Sequence, residues 1–487
     1  MTTQSTAGSK SAMAIEETGI EVIKEEDRKG TPASLFWPWF ASNISVFAIS
    51  YGSWILGYGL SFLAATLVAI LGAILSFLLV GIIALAGKRG SAPTLTISRA
   101  VFGKVGNLFP GVVSYLLLVG WEIVLVALAT LATNTVLGEL GMSTGNHTLI
   151  IAFIIIIGIV VLAGVVGFDF IMRIQTVLTI VLGIATIGYM ILTFDKIDFS
   201  ALGSLATSGP KAVIGAFVMV VTALGIGWVN CAADYSRYLP RSASSKGVVF
   251  WTTFGASLAP IILIVYGLLL VGSNPDMSQG ISDDPIGTLA TMLPSWYLII
   301  FVLVAVGGLV SGAVLDIYSS GLTLLAIGLP VKRWVAAALD GVLMIAGTIF
   351  VVWIAEDFFG PFQAFLITLG VPMAAWAGIF IGDMVWRKRD YHEASLFSSK
   401  GIYGSVNWPN FIGLVVLTIV GWGMVMSETM TWQGYLLKPF GNSAVEWGWS
   451  SIGVFVALVG GFLVGLASKR SVEAQEAKQA ELESQGL

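Results

Sequence analysis

Two acidic side chains lie inside long apolar stretches of this sequence, where a charge is costly. Glu122 stands in LLLVGWEIVLVAL, and Asp316 stands in VAVGGLVSGAVLDIYSSGLTLL. An ionisable group at bilayer depth costs at least ~2.5 kcal/mol on insertion scales, so it usually marks a pathway or a binding site. Three roles follow for each acid: proton relay, cation ligand, or acceptor for substrate N–H groups. The structural alternative is a neutral carboxyl that hydrogen-bonds a neighbouring helix.

Two tryptophans stand near these polar positions. Trp121 precedes Glu122, and Trp228 lies in TALGIGWVNCAADYSRYLP. Aromatic faces stack on planar heterocycles, which contributes ~1–3 kcal/mol per base in nucleic-acid complexes. Most tryptophans of membrane proteins instead anchor the chain at the lipid–water interface. Trp121 is too deep in its apolar stretch for that role, whereas Trp228 fits either one.

The composition is that of a membrane protein. The chain has 487 residues, of which 56% are hydrophobic and 11% are charged, whereas soluble proteins carry about 25% charged residues. The net charge of −4 comes without a basic stripe, so no nucleic-acid partner is expected. The sequence has no Walker motif and no His/Cys cluster with metal-ligand spacing. We therefore expect no enzyme, no cofactor and no direct use of ATP, and no obligatory protein partner is evident.

Apolar runs of about 18 residues or more predict transmembrane helices. Twelve such spans are predicted, and they make the chain an all-α polytopic membrane protein. They run approximately over 35–57, 60–86, 107–137, 148–167, 171–193, 211–232, 248–272, 297–327, 334–353, 360–386, 406–428 and 448–468. We number them span 1 to span 12.

The basic residues predict the orientation. All Lys and Arg residues except Lys196, Lys211 and Lys438 lie in the two tails or in loops that follow even-numbered spans. Basic side chains resist translocation, so both termini are expected in the cytoplasm and the protein in the cytoplasmic (inner) membrane. The tails are residues 1–33 and 469–487.

Spans 1 and 6 contain helix-weakening residues at corresponding places. Span 1 carries Asn43 and Ser45, and span 6 carries Gly225, Gly227 and Asn230. Two interrupted spans in matching positions indicate a transporter with internal repeats. Because these spans are five apart, the second repeat would be inverted. The alternative is that the Gly and Ser residues merely permit close helix packing.

The repeats would cover residues 34–194 (spans 1–5) and 211–386 (spans 6–10), with spans 11 and 12 in 405–468. The same offset of five relates span 3 to span 8. Glu122 and Asp316 are therefore predicted to form an acidic pair that faces one central site.

These motifs carry a family resemblance. The segments WFASNISVFAISYG, SAPTLTISRAVFGKVGNLFP, WVNCAADYSRYLP and DIYSSGLTLLAIGLP resemble the nucleobase:cation symporter-1 family, and most closely its purine-cytosine permease branch. The resemblance implies a LeuT-like five-plus-five inverted repeat with two additional helices. It also implies uptake of a heterocycle coupled to H⁺ or Na⁺.

The resemblance also implies site residues. Trp121 would stack on the substrate, with Trp228 as a second aromatic, and Asp316 would bond the base edge. The coupling cation would lie between the span 1 backbone at Asn43 and Val46 and the span 8 groups Ser311 and Asp316. Two positions depart from the family pattern. Leu125 replaces an amide, and Val310 replaces a second hydroxyl ligand. The missing hydroxyl at Val310 weakens the case for Na⁺.

The sequence thus predicts a secondary active transporter that imports a nucleobase, such as cytosine or a purine, by symport. The substrate site is predicted at Trp121, Glu122, Trp228, Asn230, Asp316, Asn43 and Ser45. One alternative is a symporter for allantoin, hydantoin, thiamine or a similar vitamin. A channel or a non-transporting membrane sensor is the alternative from another class.

Overall fold

The computed structural model describes residues 20–165, 168–329 and 333–485. The first part of the predicted N-terminal tail (1–19), the end of span 4 (166–167), the link between spans 8 and 9 (330–332) and residues 486–487 of the C-terminal tail lie outside the described residues. All regular elements in the described parts are helices.

Most predicted spans are single helices. Spans 2, 3, 5, 7, 8 and 10 are Phe62–Gly90, Leu108–Glu139, Phe168–Thr193, Ser245–Ser273, Ser295–Ala326 and Phe359–Trp386. Spans 4 and 11 are Asn146–Val165 and Trp408–Gly423, and span 9 is Arg333–Ile349 followed by a π-helical turn, Phe350–Ile354. Shorter helices lie before span 1 and in the described connections between spans. They are Glu25–Asp27, Pro32–Leu35, Thr94–Ile97, Arg99–Phe102, Phe194–Lys196, Phe199–Leu202, Met277–Asp283, Pro285–Ala290, Glu393–Leu396 and Lys438–Phe440.

Three spans are interrupted. Span 1 consists of Phe36–Asn43 and Phe47–Gly57. Span 6 consists of Pro210–Val221, a π-helical stretch at Thr222–Ile226, a 3₁₀ turn at Val229–Cys231 and the short helix Ala232–Ser236. Span 12 consists of Asn442–Trp449 and Ile452–Ala467, which are bent by 72°. The breaks in spans 1 and 6 lie where the polar and Gly residues predicted them.

Helix length and composition agree with twelve crossings. Seven helices of the described residues are long and apolar enough to span a membrane, and three shorter apolar helices and the bent pair of span 12 accompany them. The broken span 1 completes the set. Large apolar side chains such as Ile154 (62% exposed) and Ile191 (70% exposed) cover the outside of the bundle. Exposed apolar surface on this scale is expected where helices face lipid.

Close packing holds the second half of span 1 against span 7. Span 7 packs along both halves of span 1, and span 8 packs along span 3. At the crossing of spans 1 and 7, a Cβ atom on Gly267 would overlap the Ile49 carbonyl oxygen, and a Cβ atom on Gly52 would meet the Gly267 backbone. Only glycine therefore permits this approach, and it fixes the second half of span 1 directly after the break.

The C-terminal tail is helical over Lys469–Ser484 in its described part. Its Gln475 side chain accepts a hydrogen bond from Arg387 at 2.9 Å, and Arg387 also donates to Asp383 at 2.9 Å. These buried contacts hold the tail against the end of span 10. The tail is thus part of the folded body at the end of the molecule where spans 10 and 12 terminate.

Candidate functional site

The breaks of spans 1 and 6 meet at a cavity in the middle of the bundle. Spans 3, 5, 7 and 8 complete its wall. The cavity has a volume of about 90 Å³, which is several times the ~10–15 Å³ that one water molecule needs. Its lining includes Asn43, Ser45, Phe47, Tyr51, Trp121, Leu125, Thr179, Ala223, Leu224, Trp228, Ser311, Gly312 and Asp316.

Aromatic rings form much of this wall. Trp121 packs edge-on against Phe362, with ring centroids 5.7 Å apart and an interplanar angle of 70°. Trp228 packs in the same way against Trp39, at 5.9 Å and 86°. These supporting rings fix the orientation of the two cavity tryptophans. A planar ring in the cavity would find large aromatic faces on which to stack.

Asp316 is the acidic group of the cavity. Its side chain is only 4% exposed, yet it lines the cavity from span 8. No lysine, arginine or histidine is among the described residues that line the cavity. A buried carboxyl without a basic partner needs a proton, a cation or hydrogen-bond donors from a ligand. Asp316 is therefore suited to accept N–H bonds from a heterocycle or to hold a positive charge.

Polar side chains at the first break and on span 8 also line the cavity. The Asn43 amide donates to the Trp39 carbonyl at 2.9 Å, and the Ser45 hydroxyl accepts the Phe47 N–H at 3.3 Å. Both side chains thereby stabilise the ends of the two half-helices. Ser311 lies on span 8, five residues before Asp316, and also lines the cavity. Asn43, Ser311 and Asp316, three of the predicted cation ligands, thus share one space.

Two predicted site residues lie away from the cavity. Asn230 is buried, and its amide donates to the Ser114 hydroxyl of span 3 at 2.8 Å. Val46 is also buried, and its carbonyl accepts the Ile49 N–H at 3.0 Å, as the first turn of the second half-helix requires. Neither residue lines the cavity. Asn230 acts instead as a link between spans 6 and 3.

Glu122 does not line the cavity either, although its neighbour Trp121 does. Successive residues of an α-helix point about 100° apart, so Trp121 and Leu125, four residues on, share the cavity face while Glu122 turns aside. The Glu122 side chain is fully buried, and the Ser320 hydroxyl of span 8 lies close to its carboxyl. The two acids therefore do not share the cavity face as predicted: Asp316 lines the cavity, whereas Glu122 lies behind its wall, within electrostatic range of Asp316.

A third buried acid, Asp340 of span 9, lies beside Glu122 and escaped the sequence prediction. Asp340 is fully buried and accepts hydrogen bonds from Tyr115 of span 3 at 2.5 Å and from Ser320 of span 8 at 2.7 Å. Its electrostatic neighbours include Glu122. The signal was present in AAALDGVLM, where Asp340 interrupts an apolar run.

Comparison with known sequences identifies the family. The family described as "Permease for cytosine/purines, uracil, thiamine, allantoin" matches residues 22–465. The chain belongs to this permease family. YxlA of Bacillus subtilis (strain 168), whose name assigns it provisionally to the purine-cytosine permeases, is 24% identical to this permease over 448 residues. The matched region covers 89% of this chain and 93% of YxlA. The predicted family resemblance is thus confirmed, and the permease is a multi-pass membrane transporter.

Solved structures confirm the fold class of the permease. Mhp1, a nucleobase-cation-symport-1 family transporter determined in a closed conformation with bromovinylhydantoin bound, aligns with a TM-score of 0.69 and 18% identity, over 94% of this chain and 96% of Mhp1. MhsT in complex with L-phenylalanine aligns with a TM-score of 0.52 and 13% identity, over 92% of this chain and 99% of MhsT. At these identities the likeness establishes the LeuT-like fold alone.

Proposed function

We propose that this permease imports a planar nitrogen heterocycle, a nucleobase such as cytosine or a purine, by symport with a cation. The observation that carries the proposal is the buried Asp316 carboxyl in a cavity walled by Trp121 and Trp228, at the junction of the two broken spans. A nucleobase combines an aromatic face with N–H groups on its edge. The cavity offers the complement of both features.

In the proposed complex, the base stacks on Trp121 and its N–H edge donates to Asp316. Ser45 and Asn43 at the span 1 break supply further polar contacts. Residues 34–194 and 211–386 would be the two inverted repeats, with spans 11 and 12 outside them. Alternating access would come from the rocking of one helix bundle against the other around this site.

The coupling cation in this proposal is H⁺ or Na⁺. Asn43, Ser311 and Asp316 could hold Na⁺ at the cavity, and Asp316 alone could bind a proton. The distribution of basic residues supports both termini in the cytoplasm and residence in the inner membrane. Import would then proceed toward the end of the molecule where the C-terminal helix packs.

A second candidate is a cationic heterocycle such as thiamine. The specific observation in its favour is that the described cavity residues include an acid and no basic side chain. A positively charged ring would neutralise Asp316 directly, with no need for a coupling ion at that carboxyl. The family description names thiamine and allantoin beside the nucleobases.

A competition assay separates these candidates. The permease is expressed in cells that lack their own nucleobase uptake, and entry of radiolabelled cytosine is measured with excess unlabelled adenine, uracil, allantoin, hydantoin or thiamine. We expect saturable cytosine entry that adenine inhibits and thiamine does not. Saturable thiamine entry without competition by any nucleobase would establish the second candidate instead. Ion conductance without saturable entry of any compound would indicate a channel and would refute both candidates.

A further inference from the structure

Glu122 and Asp340 form a pair of buried acids behind the wall of the cavity. Both side chains are fully buried between apolar spans. Among the described residues, the charged or polar groups that lie close enough to influence the Glu122 carboxyl are Asp340 of span 9, Asp316 of span 8 and the Ser320 hydroxyl, and none of these is basic. Tyr115 of span 3, which donates to Asp340, is a further titratable group in contact with the pair. The remaining nearby phenol of span 8, Tyr318, lies by Arg237 instead.

The hydrogen bonds indicate different protonation states for the two acids. Asp340 accepts one hydroxyl on each oxygen, from Tyr115 at 2.5 Å and from Ser320 at 2.7 Å. Two donors stabilise a carboxylate, so Asp340 is the member suited to carry the charge. The Ser320 hydroxyl also lies near Glu122, but it donates to Asp340, and no described residue gives Glu122 two donors of its own. Two adjacent carboxylates in low dielectric cannot both be ionised, so Glu122 is the member suited to hold a proton.

Helix geometry connects this pair to the cavity. Asp316 and Ser320 are four residues apart on span 8, so they share a helix face about 6 Å apart along the axis. Glu122 and Tyr115 are seven residues apart on span 3, which is two turns or roughly 10 Å. Asp316, Ser320, Glu122, Asp340 and Tyr115 therefore form a polar series that starts at the cavity. It leads toward the end of the bundle where the C-terminal helix packs.

We propose that Glu122 and Asp340 are the proton-binding pair that couples a proton gradient to substrate import. A proton arrives from the outer solution through the cavity and binds Asp316. It passes to Glu122, with Ser320 alongside, and leaves past Asp340 and Tyr115 to the cytoplasmic side. One proton enters and one leaves in each cycle, and no other reactant is needed. This inference rests on the proposed symport function and assigns H⁺ as its coupling ion.

The test uses the purified full-length permease in proteoliposomes with two readouts. The first is accumulation of radiolabelled cytosine driven by an inward proton gradient, with a sodium gradient as the parallel arm. The second is counterflow, the exchange of external label for internal unlabelled cytosine, which needs no net proton movement. The variants are Glu122→Gln and Asp340→Asn. Glu139→Gln at the exposed end of span 3 and Asp195→Asn in the exposed 3₁₀ turn after span 5 are the matched controls.

We expect Glu122→Gln and Asp340→Asn to retain counterflow but to lose accumulation, so that internal and external cytosine only equilibrate. The two controls should accumulate cytosine as the wild type does. Proton-driven accumulation that survives in both pair variants would overturn the inference. So would loss of counterflow together with accumulation in variants that still bind cytosine.

The sodium arm separates this inference from the function on which it rests. Wild-type accumulation driven by sodium and indifferent to the proton gradient would overturn the proton assignment and leave nucleobase symport intact. Absence of wild-type counterflow for every nucleobase would instead remove the proposed function.

Discussion

At the scale of single residues, the proposed function divides the recognition of a heterocycle between Asp316 and the two cavity tryptophans. Stacking on an aromatic face tolerates many ring systems, whereas a carboxyl accepts only from N–H groups or from a cation. In the proposed complex, Asp316 therefore sets which ring edge is accepted. Its environment makes that preference strong, because a buried acceptor left without a donor costs about 1–3 kcal/mol.

Trp121→Ala tests the stacking contribution. We expect it to raise the KM for cytosine uptake by about 5- to 150-fold, which corresponds to the ~1–3 kcal/mol of a base–aromatic stack. Trp121→Phe keeps an aromatic face and should recover most of the loss. Trp296→Ala, at a tryptophan that is 65% exposed on the outside of the bundle, is the control and should leave KM unchanged. Equal KM values for Trp121→Ala and the control would show that Trp121 does not contact the substrate.

The sequence predicted six of the residues that line the cavity, but not the direction in which every predicted side chain points. Trp121, Trp228, Asn43, Ser45, Ser311 and Asp316 line the cavity as expected. Glu122 was misplaced because adjacency to Trp121 in sequence means a different face on a helix. Asn230 was misplaced because its partner, Ser114, is 116 positions away in the chain and no local pattern announces it.

At the scale of helices, the cavity lies where the interrupted parts of spans 1 and 6 meet. Gly225 contributes to the second break by close packing, since a Cβ atom there would overlap the backbone of Ser76 in span 2. Small residues and short polar side chains produced a readable signal for both breaks. The bend in span 12 had no such signal in the sequence. It occurs at Ser451, which adopts a left-handed conformation with φ 52° that serine seldom adopts.

Gly267→Ala tests how strictly the helix crossing holds the second half of span 1. The added methyl group would overlap the Ile49 carbonyl and force spans 1 and 7 apart. We expect the free energy of unfolding to fall by about 1–3 kcal/mol, the usual effect of overpacking. The measurements are the midpoint of thermal unfolding in detergent, which should be lower, and uptake, which should be reduced. Gly158→Ala on span 4, where nothing lies within 4 Å of the added atom, is the matched control. A Gly267→Ala protein as stable and active as this control would contradict the packing argument.

At the scale of the whole molecule, charges gather at one end and tie distant segments together. Arg241, which follows span 6, pairs with Asp390 at 3.3 Å and also contacts Glu393. Arg89 at the end of span 2 reaches Asp390 as well, at 3.4 Å. These partly exposed pairs contribute only ~0–1 kcal/mol each, but they join three connections at one face. The sequence predicted that this face is rich in basic residues, whereas pairs separated by 149 to 301 positions could not be read from it.

Two cysteine variants test the predicted orientation of the molecule. Lys478→Cys lies on the C-terminal helix and Lys438→Cys in the link between spans 11 and 12, and both positions are exposed. The natural Cys231 is buried, so it adds little background. In intact cells, a thiol reagent that does not cross membranes should label the Lys438→Cys variant and not the Lys478→Cys variant. The opposite pattern, in which Lys478→Cys is labelled and Lys438→Cys is not, would contradict the predicted orientation and the direction of import inferred from it.

Equilibrium binding of cytosine and adenine to the purified permease, wild type against Asp316→Asn, tests the central claim most directly. The account predicts saturable wild-type binding that Asp316→Asn weakens by about 10- to 150-fold, the ~1.5–3 kcal/mol of a hydrogen bond to a charged group. It also predicts no change for Glu139→Gln. Equal nucleobase affinity in the wild type and in Asp316→Asn would contradict the claim that this carboxyl reads the substrate.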